Sequence, residues 1–260
     1  MQPPDEMRLP GEQHRGAWAR LSLWVSLNRP FVWLVGLIAG LALFLAWMPA
    51  YVRLFFWYGL RTQPVLASMI LGFSLLALSL LWSTGQRVDT WTFLFFNLRG
   101  GHPPWLDGLM RGFTQIGNGI FSMALALILF FAGRHLLAYG LALGALTLWL
   151  VVELIKALVH RGRPFLRLTQ ARIVGPRAIG RSFPSGHTSQ AFFMATLLAG
   201  YFHLSVWAVC VLYAIALLVG VTRMYVGAHY PRDVLAGAIL GSAWGLLAGI
   251  IFGYVLIGSG

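Results

Sequence analysis

His187 and His229, one carboxylate and a group of cations are concentrated in three short stretches of an otherwise apolar chain. The first stretch, which also carries His160, is Lys156-Ala-Leu-Val-His-Arg-Gly-Arg163-Pro164. The second is Phe183-Pro184-Ser185-Gly186-His187. The third runs from Thr222-Arg223 through His229 to Asp233. Charged groups beside hydrocarbon are costly and mark functional sites by default. This set suits phosphoryl-group chemistry without a metal. A phosphoryl group in transfer spreads negative charge over its equatorial oxygens, so catalysis is mostly positioning and electrostatic stabilisation. Lys156, Arg163 and Arg223 can supply the positive charge, arginine as a planar fork and lysine as a compact point charge. Ser185 and Gly186 directly precede a predicted helix, whose first N–H groups and dipole favour an anion.

The two histidines divide the labour. One attacks phosphorus through a ring nitrogen and becomes a phosphohistidine. It must be neutral at that nitrogen, with its other N–H held by an acceptor. Asp233 is placed for this, four residues after His229 and on one helical face with it. The other histidine donates a proton to the leaving alkoxide and then acts as base toward water. His187 has no carboxylate close in sequence and takes that role. Glu153, one helical turn before Lys156, is expected to pair with it and orient it. Arg161, Arg167, Arg172, Arg177 and Arg181 fit either a solvated loop or a funnel for an anionic headgroup.

The elements that hold these residues must be membrane helices. The chain has 260 residues, 58% hydrophobic and only 10% charged. Soluble domains carry roughly a quarter charged residues. The expected fold is therefore all-α, a polytopic transmembrane bundle in a single domain covering 1–260. A span needs about 20 mostly apolar residues. Seven candidates fall at roughly 31–50, 64–82, 118–133, 137–158, 188–204, 206–222 and 234–257. Residues 1–30 form a polar N-terminal segment. Residues 84–117 read as an interfacial or re-entrant connector, because Trp105, Leu106, Leu109, Met110 and Phe113 share a helical face. Residues 156–233 contain the catalytic motifs. Gly237, Gly241, Gly245, Gly249 and Gly253 recur every four residues and predict close helix packing within the bundle. The net charge of +12 comes from cations at membrane edges. That placement points to membrane lipids and a lipid phosphate as partners, not to nucleic acid. A lone Cys210 excludes an intrachain disulfide.

The three stretches together resemble the type 2 phosphatidic acid phosphatase (PAP2) superfamily. Its pattern is Lys, six residues, Arg-Pro; then Pro-Ser-Gly-His; then Ser-Arg, five residues, His, three residues, Asp. Here Lys156 to Arg163-Pro164, Pro184 to His187, and Thr222-Arg223 to His229 and Asp233 follow it, with Thr222 in place of Ser. The resemblance implies a lipid phosphatase with His229 as nucleophile, Asp233 as its orienting partner and His187 as acid. It implies that Lys156, Arg163, Ser185, Gly186 and Arg223 bind the phosphate, and it implies neither metal nor cofactor. The candidate substrates are phosphatidic acid, phosphatidylglycerol phosphate, undecaprenyl pyrophosphate and lipid A phosphates. A lipid phosphotransferase would use the same phosphohistidine, whereas a non-catalytic lipid-binding or transport protein would need no nucleophile. The resemblance also implies a multi-pass inner-membrane protein with an extracytoplasmic site. Counting cations by the positive-inside rule points the other way. If all seven segments cross, sixteen of the nineteen Lys and Arg fall on the face of the catalytic loops.

Overall fold

A computed structural model describes residues 46–254, together with Ala39, Gly40 and Leu43. The N-terminal segment 1–30 and most of the candidate span 31–50 lie outside these residues. The chain divides into two compact units, Met1–Tyr58 and Gly59–Gly260, and helix α1 (Ala50–Thr62) straddles the boundary. The described residues contain helices and connecting segments, with no strand among them.

In the second unit, α2 (Pro64–Ser79) is followed by α3 (Ser83–Leu98) and α4 (Pro104–Thr114). A 3-10 turn, Gln115–Gly117, leads into α5 (Gly119–Phe131). Then come α6 (His135–Leu158), the short α7 (Pro164–Arg167), α8 (Gly186–Phe202), α9 (Val206–Tyr225) and α10 (Pro231–Ile251). Helix starts carry their usual chemistry. Proline opens α2, α4, α7 and α10, where a missing N–H costs nothing. Asn118, Ser185 and Ser205 cap α5, α8 and α9 through their side chains.

Helices α6, α9 and α10 are each long and apolar enough to cross a membrane. The count rises to five if two bent pairs each form one span. One pair is α2 with α3, bent by 96°, and the other is α4 and its 3-10 turn with α5, bent by 61°. The sequence leads one to expect seven spans. The difference arises in part because α2 and α5, at 16 and 13 residues, are shorter than a span and abut sharp bends. Helix α8 has 17 residues, and its first turn belongs to the Pro184–His187 motif.

Helix α6 shows why the bundle closes. Leu137, Leu141, Ala145, Leu148 and Val152 recur at three- and four-residue spacing and are buried against Phe193, Met194 and Leu197 of α8. Its other side exposes Leu143, Leu146, Trp149, Leu150 and Leu154. Polar groups are thus not what this surface offers, as expected of a lipid-facing wall.

The glycine stripe of α10 sets the tightest contact. Added to Gly237 or Gly241, a Cβ would stand 2.6 Å from the Ser185 carbonyl oxygen or 2.1 Å from that of Ser189. Added to Gly245, it would stand 2.9 Å from the carbonyl oxygen of Phe193. Register therefore advances in parallel along α8 and α10, which both start at the same end of the bundle. Helix α2 packs antiparallel to α10, with Gly72 against Ile239 and Ser79 against Arg232.

Candidate active site

Five helix ends meet at one pole of the second unit. Lys156 lies in the last turn of α6, and Arg163 is the N-cap of α7. Ser185 is the N-cap of α8, with Gly186 and His187 in its first turn. Arg223 occupies the last turn of α9, His229 the link that follows, and Asp233 the first turn of α10. The three sequence stretches are therefore gathered, and each is fixed where a helix starts or stops.

His229 is nearly fully buried and held from both sides. Its Nδ1 is 2.7 Å from the carbonyl oxygen of Ser182, and its Nε2 is 3.2 Å from Nη1 of Arg163. A carbonyl can only accept and a guanidinium can only donate. The proton is therefore on Nδ1, and Nε2 presents a lone pair. Burial pushes the pKa of this imidazole down to about 4, the neighbouring Arg163 and Arg223 act in the same direction, and Asp233 opposes them.

Asp233 is less direct than its spacing suggests. Its Oδ2 lies 3.7 Å from Nδ1 of His229 and accepts the backbone N–H of Tyr230 at 2.8 Å. The nearer acceptor for the imidazole is the Ser182 carbonyl, which spacing alone does not reveal. The other oxygen of Asp233 pairs with Arg161. Arg161 also pairs with Asp89 of α3, and Asp89 accepts from the Arg232 Nε at 2.7 Å and from the Arg232 backbone N–H at 3.1 Å. Two carboxylates and two guanidinium groups thus form one buried cluster behind His229. Sequence reasoning left Arg161 ambiguous and overlooked Asp89. An acid between Val88 and the apolar Trp91–Phe96 run was the available signal.

The five residues expected at the phosphate differ in how free they are. The Nζ of Lys156 pairs with Glu153 at 2.8 Å, as the one-turn spacing predicts. Arg163 already donates to the carbonyls of Gly180, Ala228 and Ile179 as well as to His229, so much of its fork is occupied. Arg223 is buried, donates Nη1 to Thr114 at 2.8 Å and leaves its Nε without an acceptor. The backbone N–H of Ser185 is taken by the carbonyl of Asp233 at 3.0 Å, and its hydroxyl caps Thr188. For Ser185 this departs from the expectation that its N–H faces an anion. The N–H groups of Gly186 and His187 follow it in the first helical turn, where no helical acceptor precedes them. The Thr222 hydroxyl bonds back to Val219 at 2.6 Å within α9, so it needs no partner at the site.

Two cavities meet at His187. One, of about 430 Å³, is bounded by Lys156, Gly186, Asn118 and the apolar Ile120, Leu146 and Trp149 of α5 and α6. The other, of about 320 Å³, is bounded by Arg111, Thr114, Arg177, Arg223 and Ala228. The first is mostly apolar and flanked by exposed side chains of α5 and α6, and the second mixes polar and apolar side chains with three arginines.

A family model described as the PAP2 superfamily matches residues 121–256, more than half of the chain. The chain belongs to the PAP2 superfamily. Lipid A 4'-phosphatase from Bacteroides thetaiotaomicron is 33% identical over 174 residues, covering 62% of this chain and 75% of the relative. Lipid A 1-phosphatase from Rhizobium johnstonii is 36% identical over 110 residues, 40% of this chain and 43% of that relative's length. Among solved structures, a transmembrane PAP2-type phosphatidylglycerolphosphate phosphatase from Bacillus subtilis superposes with a TM-score of 0.64. It is 25% identical, and the match covers 74% of this chain and 97% of that one. In this PAP2 chain the matched segment contains His187, His229 and Asp233. Asp89 and the whole of α3 precede it.

Proposed function

We propose that this PAP2 protein hydrolyses the phosphate or diphosphate group of a membrane lipid through a phosphohistidine on His229. One observation carries the reading: the Ser182 carbonyl and the Arg163 guanidinium together leave a lone pair on Nε2 of a buried, neutral imidazole. The Nε2 attacks phosphorus, and the bond from phosphorus to the lipid oxygen breaks. Burial, and after it the neighbouring Arg223, push the His187 pKa down to about 2 before substrate binds. The anionic phosphoryl group must therefore raise it for His187 to take up a proton and give it to the departing oxygen. A water then loses a proton to His187 and attacks phosphorus. The P–N bond breaks, inorganic phosphate leaves, and the electron pair returns to Nε2. Lys156, Arg223 and the first-turn N–H groups of α8 stabilise the charge that develops. Ser185 contributes by capping that turn, and Asp233 by holding the His229 link through Tyr230 and Arg161.

The apolar cavity beside α5 and α6 gives a lipid tail a place next to His187, while its headgroup reaches the cations. Phosphatidic acid, phosphatidylglycerol phosphate, undecaprenyl pyrophosphate and lipid A phosphates all satisfy that geometry, and the named relatives act on different lipids within this range. The test is phosphate release from a panel of purified lipid phosphates in detergent. His229→Ala should abolish release while the protein stays folded and membrane-inserted, and EDTA should leave the parent rate unchanged. A residual His229→Ala rate within a few-fold of the parent, or an EDTA loss restored by magnesium, would overturn the mechanism.

A further inference from the structure

The cavity of about 320 Å³ that leads away from His187 holds three arginines, Arg111, Arg177 and Arg223, and no carboxylate among its lining residues. Elsewhere around the site, Arg163 and Arg181 are taken up by backbone carbonyls, and four further cations are matched by acids. Lys156 has Glu153, Arg161 has Asp89 and Asp233, Arg172 has Asp107, and Arg232 has Asp89. The arginines that face this cavity have no acid partner among the described residues, and the Nε of the buried Arg223 has no acceptor.

Arg177 lies on a pinned loop that also passes beside Arg111. The backbone N–H of Arg172 donates to the Asn97 side chain at 2.7 Å, and that of Val174 donates to the Val226 carbonyl at 3.2 Å. Gly175, at φ +85°, passes so close beneath Arg111 that a Cβ there would stand 3.3 Å from the Arg111 Nε. Arg177 follows two residues later. Arg111 comes from the last turn of α4, so two separate elements bring like charges to one concavity. Like charges repel unless an anion lies between them, and each guanidinium fork matches a phosphoryl group bidentately.

Resting on the phosphatase reading above, we propose that Arg111 and Arg177 form a subsite for a second phosphoryl group of the substrate. Arg223 and His187 mark the end where the reacting phosphoryl sits. The second group lies outward, against Arg111 and Arg177. It can be joined to the first in a diphosphate, or be carried on the far side of a larger headgroup. The subsite makes the enzyme select lipids bearing two phosphoryl groups over monophosphates with the same tail.

The experiment compares kcat/KM for matched pairs in neutral detergent at fixed ionic strength. One pair is farnesyl diphosphate and farnesyl monophosphate. The other is a disaccharide lipid phosphorylated at both ends and at one end only. The enzymes are the parent and Arg111→Gln, Arg177→Gln and their double variant. Hydrogen bonds to charged groups are worth about 1.5–3 kcal/mol, so the double variant should lower the preference for two phosphoryl groups by about 10- to 100-fold. Monophosphate turnover should change by less than about 3-fold. Loss confined to the farnesyl pair places the second group in a diphosphate, and loss confined to the disaccharide pair places it across the headgroup. Equal losses on both members of each pair would mean general attraction and would overturn the subsite, as would no loss at all. A parent enzyme that cleaves none of the four lipids would instead overturn the phosphatase reading.

Discussion

At the scale of single residues, the protonation of His229 links stability to chemistry. An imidazole in an unfolded chain titrates near 6.5, whereas burial holds that of His229 down to about 4. Between these values the unfolded chain binds a proton that the folded chain refuses. The stability tied to His229 is thus fully present above pH 6.5 and is lost as pH falls toward 4. Thermal unfolding in neutral detergent should shift to lower temperature across that window, and His229→Gln should flatten the shift. Equal slopes in both proteins would show that His229 does not titrate this way. The motif residues were legible because each type and spacing answers a chemical need. Ser182 was not, since it acts through a backbone carbonyl that any residue could supply. Arg161 and Asp89 were not, because 72 residues separate partners that meet only after folding.

Among the elements, the α8–α10 contact concentrates the most consequence in the smallest volume. Packing without side chains lets the two backbones approach, and in lipid such close van der Waals packing is a main source of helix association. Replacing Gly241 by valine would drive its Cβ into the backbone of Ser189, which cannot move aside as a flexible side chain would. Overpacking of this kind costs about 1–3 kcal/mol. Gly241→Val should lower the unfolding temperature in detergent and reduce phosphatase activity together, because α8 and α10 bear His187 and Asp233. Retention of both within error would show that the stripe tolerates bulk. The stripe could be read in advance from spacing alone. The sharpness of the bends after α2 and before α5, at the edges of the segment expected as an interfacial or re-entrant connector, could not. The bends follow from how α3 and α4 fold against the catalytic pole, through Asn97 to Arg172 and Tyr225, and through Thr114 to Arg223.

For the whole molecule, the arrangement of ends is a topological statement. Helices α6 and α9 finish, and α8 and α10 begin, at the catalytic pole, so the link between α8 and α9 belongs to the opposite pole. In a Cys210→Ser background, single cysteines replacing Gln170 and Leu204 should react with an impermeant thiol reagent from opposite sides of sealed vesicles. Labelling of both from one side would show that α8 does not cross. The same measurement fixes which membrane face holds the site, where the excess of cations and the family resemblance disagree. Several arginines behind that excess are committed to structure, since Arg161, Arg172 and Arg232 neutralise internal carboxylates. They therefore carry less orienting information than a count of loop charges assumes.

The buried tie from Asp89 to Arg161 and Arg232 bears on how far this catalytic half is portable. Asp89 stands outside the segment that defines the family, whereas both guanidinium groups stand inside it. A chimera that kept residues 121–256 and took everything earlier from another protein would import two interior cations without one of their counter-charges. Removing one partner of a buried pair costs about 3–5 kcal/mol. Natural exchange and laboratory shuffling alike would therefore have to move α3 with the motifs, or rewrite both arginines at the same moment.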